Sequence, residues 1–161
     1  MPERPTLDTP RLILRPFTLA DAPDVQRLAG AREVASTTTN IPHPYEDGMA
    51  EAWIAAHQER FDAGEMVTWA VTLREGGALL GGIGLRLEPA HDRAELGYWI
   101  AVPHWNQGYC TEAALAVLRY GFQDRGLHRI GATHFARNPA SGRVMQKIGM
   151  TREGCLRHHI K

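Results

Sequence analysis

Two periods govern the apolar positions of this chain, and they alternate along it. Over 93–102, Leu96, Tyr98, Ile100 and Val102 fall on one side of a two-residue period and Glu95, Gly97, Trp99 and Ala101 on the other, which predicts a strand. Over 111–125, Leu115, Leu118 and Phe122 follow helical spacing instead. Pro103 and a short polar turn carrying Gly108 separate the two patterns, so the middle of the chain is predicted as strand, tight loop and helix.

The flanks follow the same logic. A strand over 11–15 is closed by Pro16; Thr18, with Asp21 three residues on, then caps a short helix striped by Val25 and Leu28 and stopped at Gly30. Residues 31–45, with Ser36, Thr37, Thr38, Thr39, Asn40, Pro42 and Pro44, are predicted as a long loop of the kind that lines a site. A second helix over 46–63 ends at Gly64. Apolar runs over 67–73 and 79–87, joined by Arg74-Glu75-Gly76-Gly77, predict a hairpin. No helix follows Gly81, Gly82 and Gly84, and no Lys-Ser or Lys-Thr either, so these glycines mark a bulge or a close packing point, not a phosphate loop. After the central helix come a strand over 129–137, a helix opened by Asn138-Pro139-Ala140-Ser141 and closed by Gly149, and a strand over 150–160.

Length and charge narrow the class. A chain of 161 residues suits one domain with a sizeable core. Its 18 basic and 18 acidic residues cancel, which argues against a nucleic-acid or anionic-membrane partner. Cys110 and Cys155 have no metal-ligand spacing, and no signal-like segment opens the chain, so a reduced, cytoplasmic setting is expected. His158 and His159, adjacent on a strand, point to opposite faces, and no metal is expected.

The central loop carries the candidate chemistry. A helix rising straight from a loop presents amide groups without intrahelical acceptors, and its dipole adds about half a positive charge there. Gly108 and the small Cys110 let a ligand approach that backbone, so the loop reads either as an anion cradle that a pyrophosphate would fit or as an ordinary strand-to-helix turn.

In element order the chain resembles the GNAT superfamily of acyl-CoA-dependent N-acetyltransferases. Thr9-Pro10-Arg11-Leu12-Ile13-Leu14-Arg15-Pro16, Ala94-Glu95-Leu96-Gly97-Tyr98-Trp99-Ile100, Gly108-Tyr109-Cys110-Thr111-Glu112-Ala113, Asn138-Pro139-Ala140-Ser141 and Lys147-Ile148-Gly149-Met150 are similar to the branch that modifies ribosomal-protein N-termini. The resemblance implies an α/β fold over 1–161, with a mixed, mostly antiparallel central sheet, helices on both faces and two splayed central strands. The family loop has an Arg or Gln, two free positions, a Gly, one free position and a Gly or Ala; here Trp105 and Cys110 depart from it.

The resemblance also assigns sites. It implies acetyl-CoA as cosubstrate, with pyrophosphate contact at Asn106, Gln107, Gly108, Tyr109 and Cys110, and pantetheine contact at the backbone of Ile100, Ala101 and Val102 and at Asn138. The amides near Ile100 and Ala101 would face the oxygen of the tetrahedral intermediate. Glu95, its basicity raised by burial, is the candidate base for the attacking amine, against the competing reading of a salt-bridged surface glutamate. Ser141 is the candidate acid for the departing thiolate, against a role as helix cap. The expected acceptor is a primary amine, possible choices being a protein N-terminus and a small molecule, selected by 31–45 and 46–63; the alternative is a non-catalytic acyl-CoA-binding regulatory module. Where the family has one more strand after 161, the expectation is either a missing tail or a strand supplied by a partner subunit, as in a homodimer, because an uncovered sheet edge invites association.

Overall fold

The computed structural model describes residues 3–159. Its six strands form one sheet in chain order: β1 (Leu7–Asp8), β2 (Leu12–Arg15), β3 (Met66–Leu73), β4 (Leu79–Glu88), β5 (Arg93–Ile100) and β6 (Arg129–Gly131). Neighbours from β1 to β5 are antiparallel, and β5 and β6 are parallel. The helices are α1 (Ala22–Ala29), α2 (Arg32–Ala35), α3 (Met49–Ala55), α4 (His57–Asp62), α5 (Tyr109–Arg119) and α6 (Pro139–Lys147). None is long and apolar enough to cross a membrane.

Alternation along the strands splits the core between the two sheet faces. Leu12, Leu14, Trp69, Leu85 and Leu96 share one cluster with Ala113, Ala114, Val117 and Tyr120 of α5 and the turn after it, whereas Phe17 and Ala70 share the other with Val25 and Ala29 of α1 and Ala50 and Ile54 of α3. The mixed sheet with helices on both faces is therefore present. The face that α5 buries differs from the expected one: Leu115 and Phe122 are exposed, and the buried residues are Ala113, Ala114 and Val117, small enough to bring the helix close to the sheet.

The glycines of β4 are packing points beside a bulge. Val71 pairs with Gly81 but Thr72 with Leu79, so Leu80 is the extra residue. A Cβ on Gly82 would stand 2.6 Å from the Trp99 indole nitrogen, which rests on the bare backbone there.

Four predicted segments differ in the structure. The second helix divides at Ala56, which turns His57 into the core against Phe17 and Trp53, with ring centroids 5.6 and 4.4 Å away. Within 31–45 the buried Val34 anchors α2, and the hydroxyls of Ser36, Thr37 and Thr38 end it by donating to carbonyls of Glu33, Val34 and Ala35. The strand over 129–137 stops at Gly131; the chain then turns, closed by the Asn138 amide on the Phe135 carbonyl at 2.9 Å. No strand forms over the described part of 150–160, and Ile160 lies outside the described residues. Met150 packs against the core, but Leu156 is 70% exposed, and Glu153 reaches back to Arg129 through two hydrogen bonds of 2.7 and 2.6 Å.

Candidate active site

The short β6 creates a cleft. β5 and β6 pair only at Arg93 with Arg129, Ala94 with Ile130 and Glu95 with Gly131, so from Leu96 onward that edge of β5 is open. The Ala101 amide donates to the Leu80 carbonyl on the β4 side at 2.8 Å, and antiparallel alternation therefore turns the amide and carbonyl of Tyr98 and the amide of Ile100 toward the cleft. Two of the expected backbone contacts are already engaged. The Ala101 amide belongs to the sheet, and the Ile100 carbonyl accepts from Trp105 Nε1 at 2.6 Å.

The predicted anion cradle meets this edge at its end. β5 stops at Ile100, a single turn over Val102–His104 follows, and α5 begins at Tyr109, two residues earlier than expected. The first helical hydrogen bond of α5 runs from the Glu112 amide to the Gly108 carbonyl at 3.1 Å, which leaves the amides of Tyr109, Cys110 and Thr111 without helical acceptors. Side chains hold the carbonyls of this segment: Trp105 that of Ile100, Gln107 Nε2 that of Pro103 at 3.0 Å, and Arg11 Nη1 that of Gln107 at 3.0 Å. Gly108 takes φ +80°, a conformation that favours glycine, and a Cβ there would have Arg11 Nη2 as its nearest neighbour, at 3.3 Å. Burial pushes the Cys110 thiol up to about 12, so this residue is a protonated packing group beside the cradle.

Glu95 and Ser141 lie on opposite sides of β5. Glu95 sits across from Arg86 in the sheet, forms an ion pair with it and accepts from Thr133 Oγ1 at 3.5 Å. With 39% of its side chain exposed, it lacks the burial expected of it. Its face continues through Gly97, where a Cβ would meet nothing within 4 Å, to Trp99. Gly97 pairs with Gly84, so the floor between Glu95 and Trp99 is bare backbone. Trp99 packs toward the cluster that Tyr45, Trp53 and Ile41 flank. Arg137 Nη2 ties the segment after β6 to the 31–45 segment through the Ser36 carbonyl at 3.0 Å.

Ser141 stands in the first turn of α6, three residues beyond the cap position held by Asn138. Its Oγ is 2.8 Å from the Tyr98 hydroxyl, which also lies 3.0 Å from the Ser141 carbonyl as a donor. Burial raises the Tyr98 hydroxyl above its ordinary range, so it stays protonated. Asn138 makes no side-chain cap, and its side-chain amide has no partner among the described residues. The sequence pattern did not single out Tyr98 or Arg86; for Arg86, counting the β4–β5 register back from Gly84 and Gly97 would have found the pair.

Residues 11–151 match the acetyltransferase (GNAT) domain family. The uncharacterized N-acetyltransferase YoaA of Bacillus subtilis (strain 168) is 36% identical over 166 residues, spanning 97% of this chain and 88% of its own. The GNAT-family acetyltransferase of Bacillus anthracis superposes with a TM-score of 0.82 at 30% identity, over 96% of this chain and 91% of that one. RimL, a ribosomal L7/L12 alpha-N-protein acetyltransferase solved with coenzyme A, shares the fold with a TM-score of 0.88 at 16% identity, over 98% and 90% of the two chains. The chain belongs to the GNAT family of acetyl-CoA-dependent N-acetyltransferases.

Proposed function

We propose that the protein acetylates a primary amine, that of a protein N-terminus or of a small molecule, by direct attack on acetyl-CoA within a ternary complex. The observation that carries this reading is the junction at Ile100, where an open strand edge runs into a loop of unengaged amides. A pyrophosphate fits the amides of Asn106, Gln107, Gly108, Tyr109 and Cys110, and the Gly108 backbone has no side chain to obstruct it. A pantetheine arm carries amides that can pair with Tyr98 and Ile100 as an added strand does, guided by Val102 and by the unpartnered side chain of Asn138.

Acetyl-CoA supplies an activated acyl group, and the chain supplies position and proton transfer. The amine approaches across the bare floor of Gly97 and Gly84, between Trp99 and Glu95. Glu95 takes a proton from the amine, directly or through a water, and with the pantetheine on the Ile100 amide and the Tyr98 carbonyl, the Tyr98 amide is left to face the oxygen that gains charge. Ser141, on the other side of β5 and oriented by Tyr98, returns a proton to the sulfur. The RimL fold match supports a protein N-terminus as acceptor, since that enzyme modifies the α-amine of a ribosomal protein.

The test is thiol release from acetyl-CoA with a panel of N-terminal peptides, polyamines and amino acids, alongside calorimetry with coenzyme A. Turnover with one acceptor class supports the reading. Binding without turnover on any acceptor would favour a regulatory acyl-CoA-binding module.

A further inference from the structure

The family loop carries an Arg or Gln where this chain has Trp105, and the Trp105 indole is held by the Ile100 carbonyl. A cation nevertheless stands at the loop. Arg11, from the start of the chain, extends its guanidinium over the Tyr109 ring, 4.4 Å from the centroid. Its Nε donates to Glu112 Oε1 at 2.8 Å and its Nη1 to the Gln107 carbonyl at 3.0 Å. Nη2 has no bond among the described residues, and it lies 3.3 Å from the position of a Cβ on Gly108, the residue of the loop that has no side chain. Two hydrogen bonds and the ring contact thus fix the group and leave both hydrogens of Nη2 free at the cradle.

Glu112 explains why a cation is needed there. It occupies the first turn of α5, where the helix dipole favours a carboxylate but a ligand phosphate would meet like charge. Burial alone would raise this carboxyl, yet hydrogen bonds from Thr9, from the Arg11 guanidinium and from the Arg11 amide bring it net below its ordinary value. It is therefore an anion next to an anion site, and among the described residues Arg11 is the cation paired with it.

We propose that Arg11 is the side-chain cation of the pyrophosphate site, with Nη2 donating to a phosphate oxygen while Nε balances Glu112. This inference rests on the reading of 106–110 as the pyrophosphate loop. An arginine suits it because a planar fork can serve two fixed acceptors and a ligand at once.

Calorimetry with coenzyme A and with dephospho-coenzyme A, on the wild type, Arg11→Met, Arg11→Lys and the double variant Arg11→Met/Glu112→Gln, tests it. Ligand-free melting of each variant reports on the fold. Loss of a charge-assisted hydrogen bond and of the balancing charge should weaken both ligands about tenfold to hundredfold in Arg11→Met, with partial recovery in the double variant. Wild-type protein that binds neither ligand would end the underlying reading of the loop. With wild-type binding established, unchanged affinity in Arg11→Met overturns the inference about Arg11. So does full recovery in the double variant, which would leave Arg11 a neutraliser of Glu112. A loss confined to coenzyme A overturns it too, since the contact would then be with the ribose phosphate. Should Arg11→Met fail to fold, Arg11→Lys carries the test: several-fold weaker binding of both ligands supports the phosphate contact, and equal affinity overturns it.

Discussion

The Tyr98 hydroxyl lies 2.8 Å from Ser141 Oγ, joining the open strand of the cleft to the first turn of the helix beyond it. That contact fixes the serine without using it as a cap. A coenzyme A thiolate is a moderate leaving group, by analogy with the reference thiol pKa near 8.5, so its protonation assists the reaction only modestly. Ser141→Ala should lower kcat about tenfold to hundredfold, near the lower end of general-acid effects, with acetyl-CoA affinity nearly unchanged. Tyr98→Phe keeps the serine but frees its rotamer and should give a smaller loss of kcat. If Ser141→Ala instead leaves kcat intact and only lowers the melting temperature, the serine is structural and water protonates the thiolate.

Glu95 faces a different constraint, its cross-strand partner Arg86. Glu95→Gln should reduce turnover about 10²-fold at neutral pH and spare cofactor affinity, as expected for one positioned base. Arg86→Met supplies the discriminating measurement. If Glu95 is the base, turnover is lost in Glu95→Gln and largely kept in Arg86→Met, whereas a glutamate that serves only the ion pair gives the same lowered melting temperature in both variants with kcat intact.

The loop prediction concerns Gly108. A β-branched residue at φ +80° is strained by sterics alone, at roughly 1–2 kcal/mol, and its side chain would stand at the cradle next to Arg11. Gly108→Val should therefore abolish coenzyme A binding in calorimetry while the sheet, as followed by circular dichroism, survives. Wild-type affinity in a folded variant would move the pyrophosphate elsewhere.

How legible these features were depended on their range along the chain. The loop around Gly108 could be read because a glycine, a preceding strand and a following helix are neighbours in sequence. The pairs Tyr98 with Ser141, 43 residues apart, and Arg11 with Glu112, 101 apart, arise from packing that no local period encodes. Arg86 opposite Glu95 depends on strand register, a sum over every bulge and turn between them. The buried face of α5 escaped detection because its contact residues include Ala113 and Ala114, which a search for large apolar side chains passes over. The alternation over 129–137 suggests a longer strand than forms, since beyond Gly131 its positions hold only Ala132, His134 and Ala136, too little apolar surface to keep the chain on the sheet.

The last prediction is about stability and pH. His57 is only 5% exposed, edge-on to Trp53 and tilted against Phe17, and neither ring nitrogen has a hydrogen-bond partner among the described residues. Burial, and then the charges of Arg4 and Arg60, lower its pKa from 6.5 to about 4, so the folded protein holds it neutral. The unfolded chain takes up a proton on this imidazole below about pH 6.5, whereas the native state does so only near pH 4. Between those values the unfolded state binds more protons, so His57 contributes stability that is fully present above pH 6.5 and is lost progressively as the pH falls toward 4. At about 1.4 kcal/mol per unit, the loss attributable to this residue is about 3 kcal/mol. Replacing an unpartnered polar ring by an apolar one of similar shape also removes a desolvation cost. His57→Phe should accordingly be at least as stable as the wild type at pH 7 and more stable at pH 4.5, with a flatter dependence between them in urea titrations. Parallel pH profiles for the two proteins would mean that the imidazole is hydrated or paired in solution and that the acid sensitivity of the fold resides elsewhere.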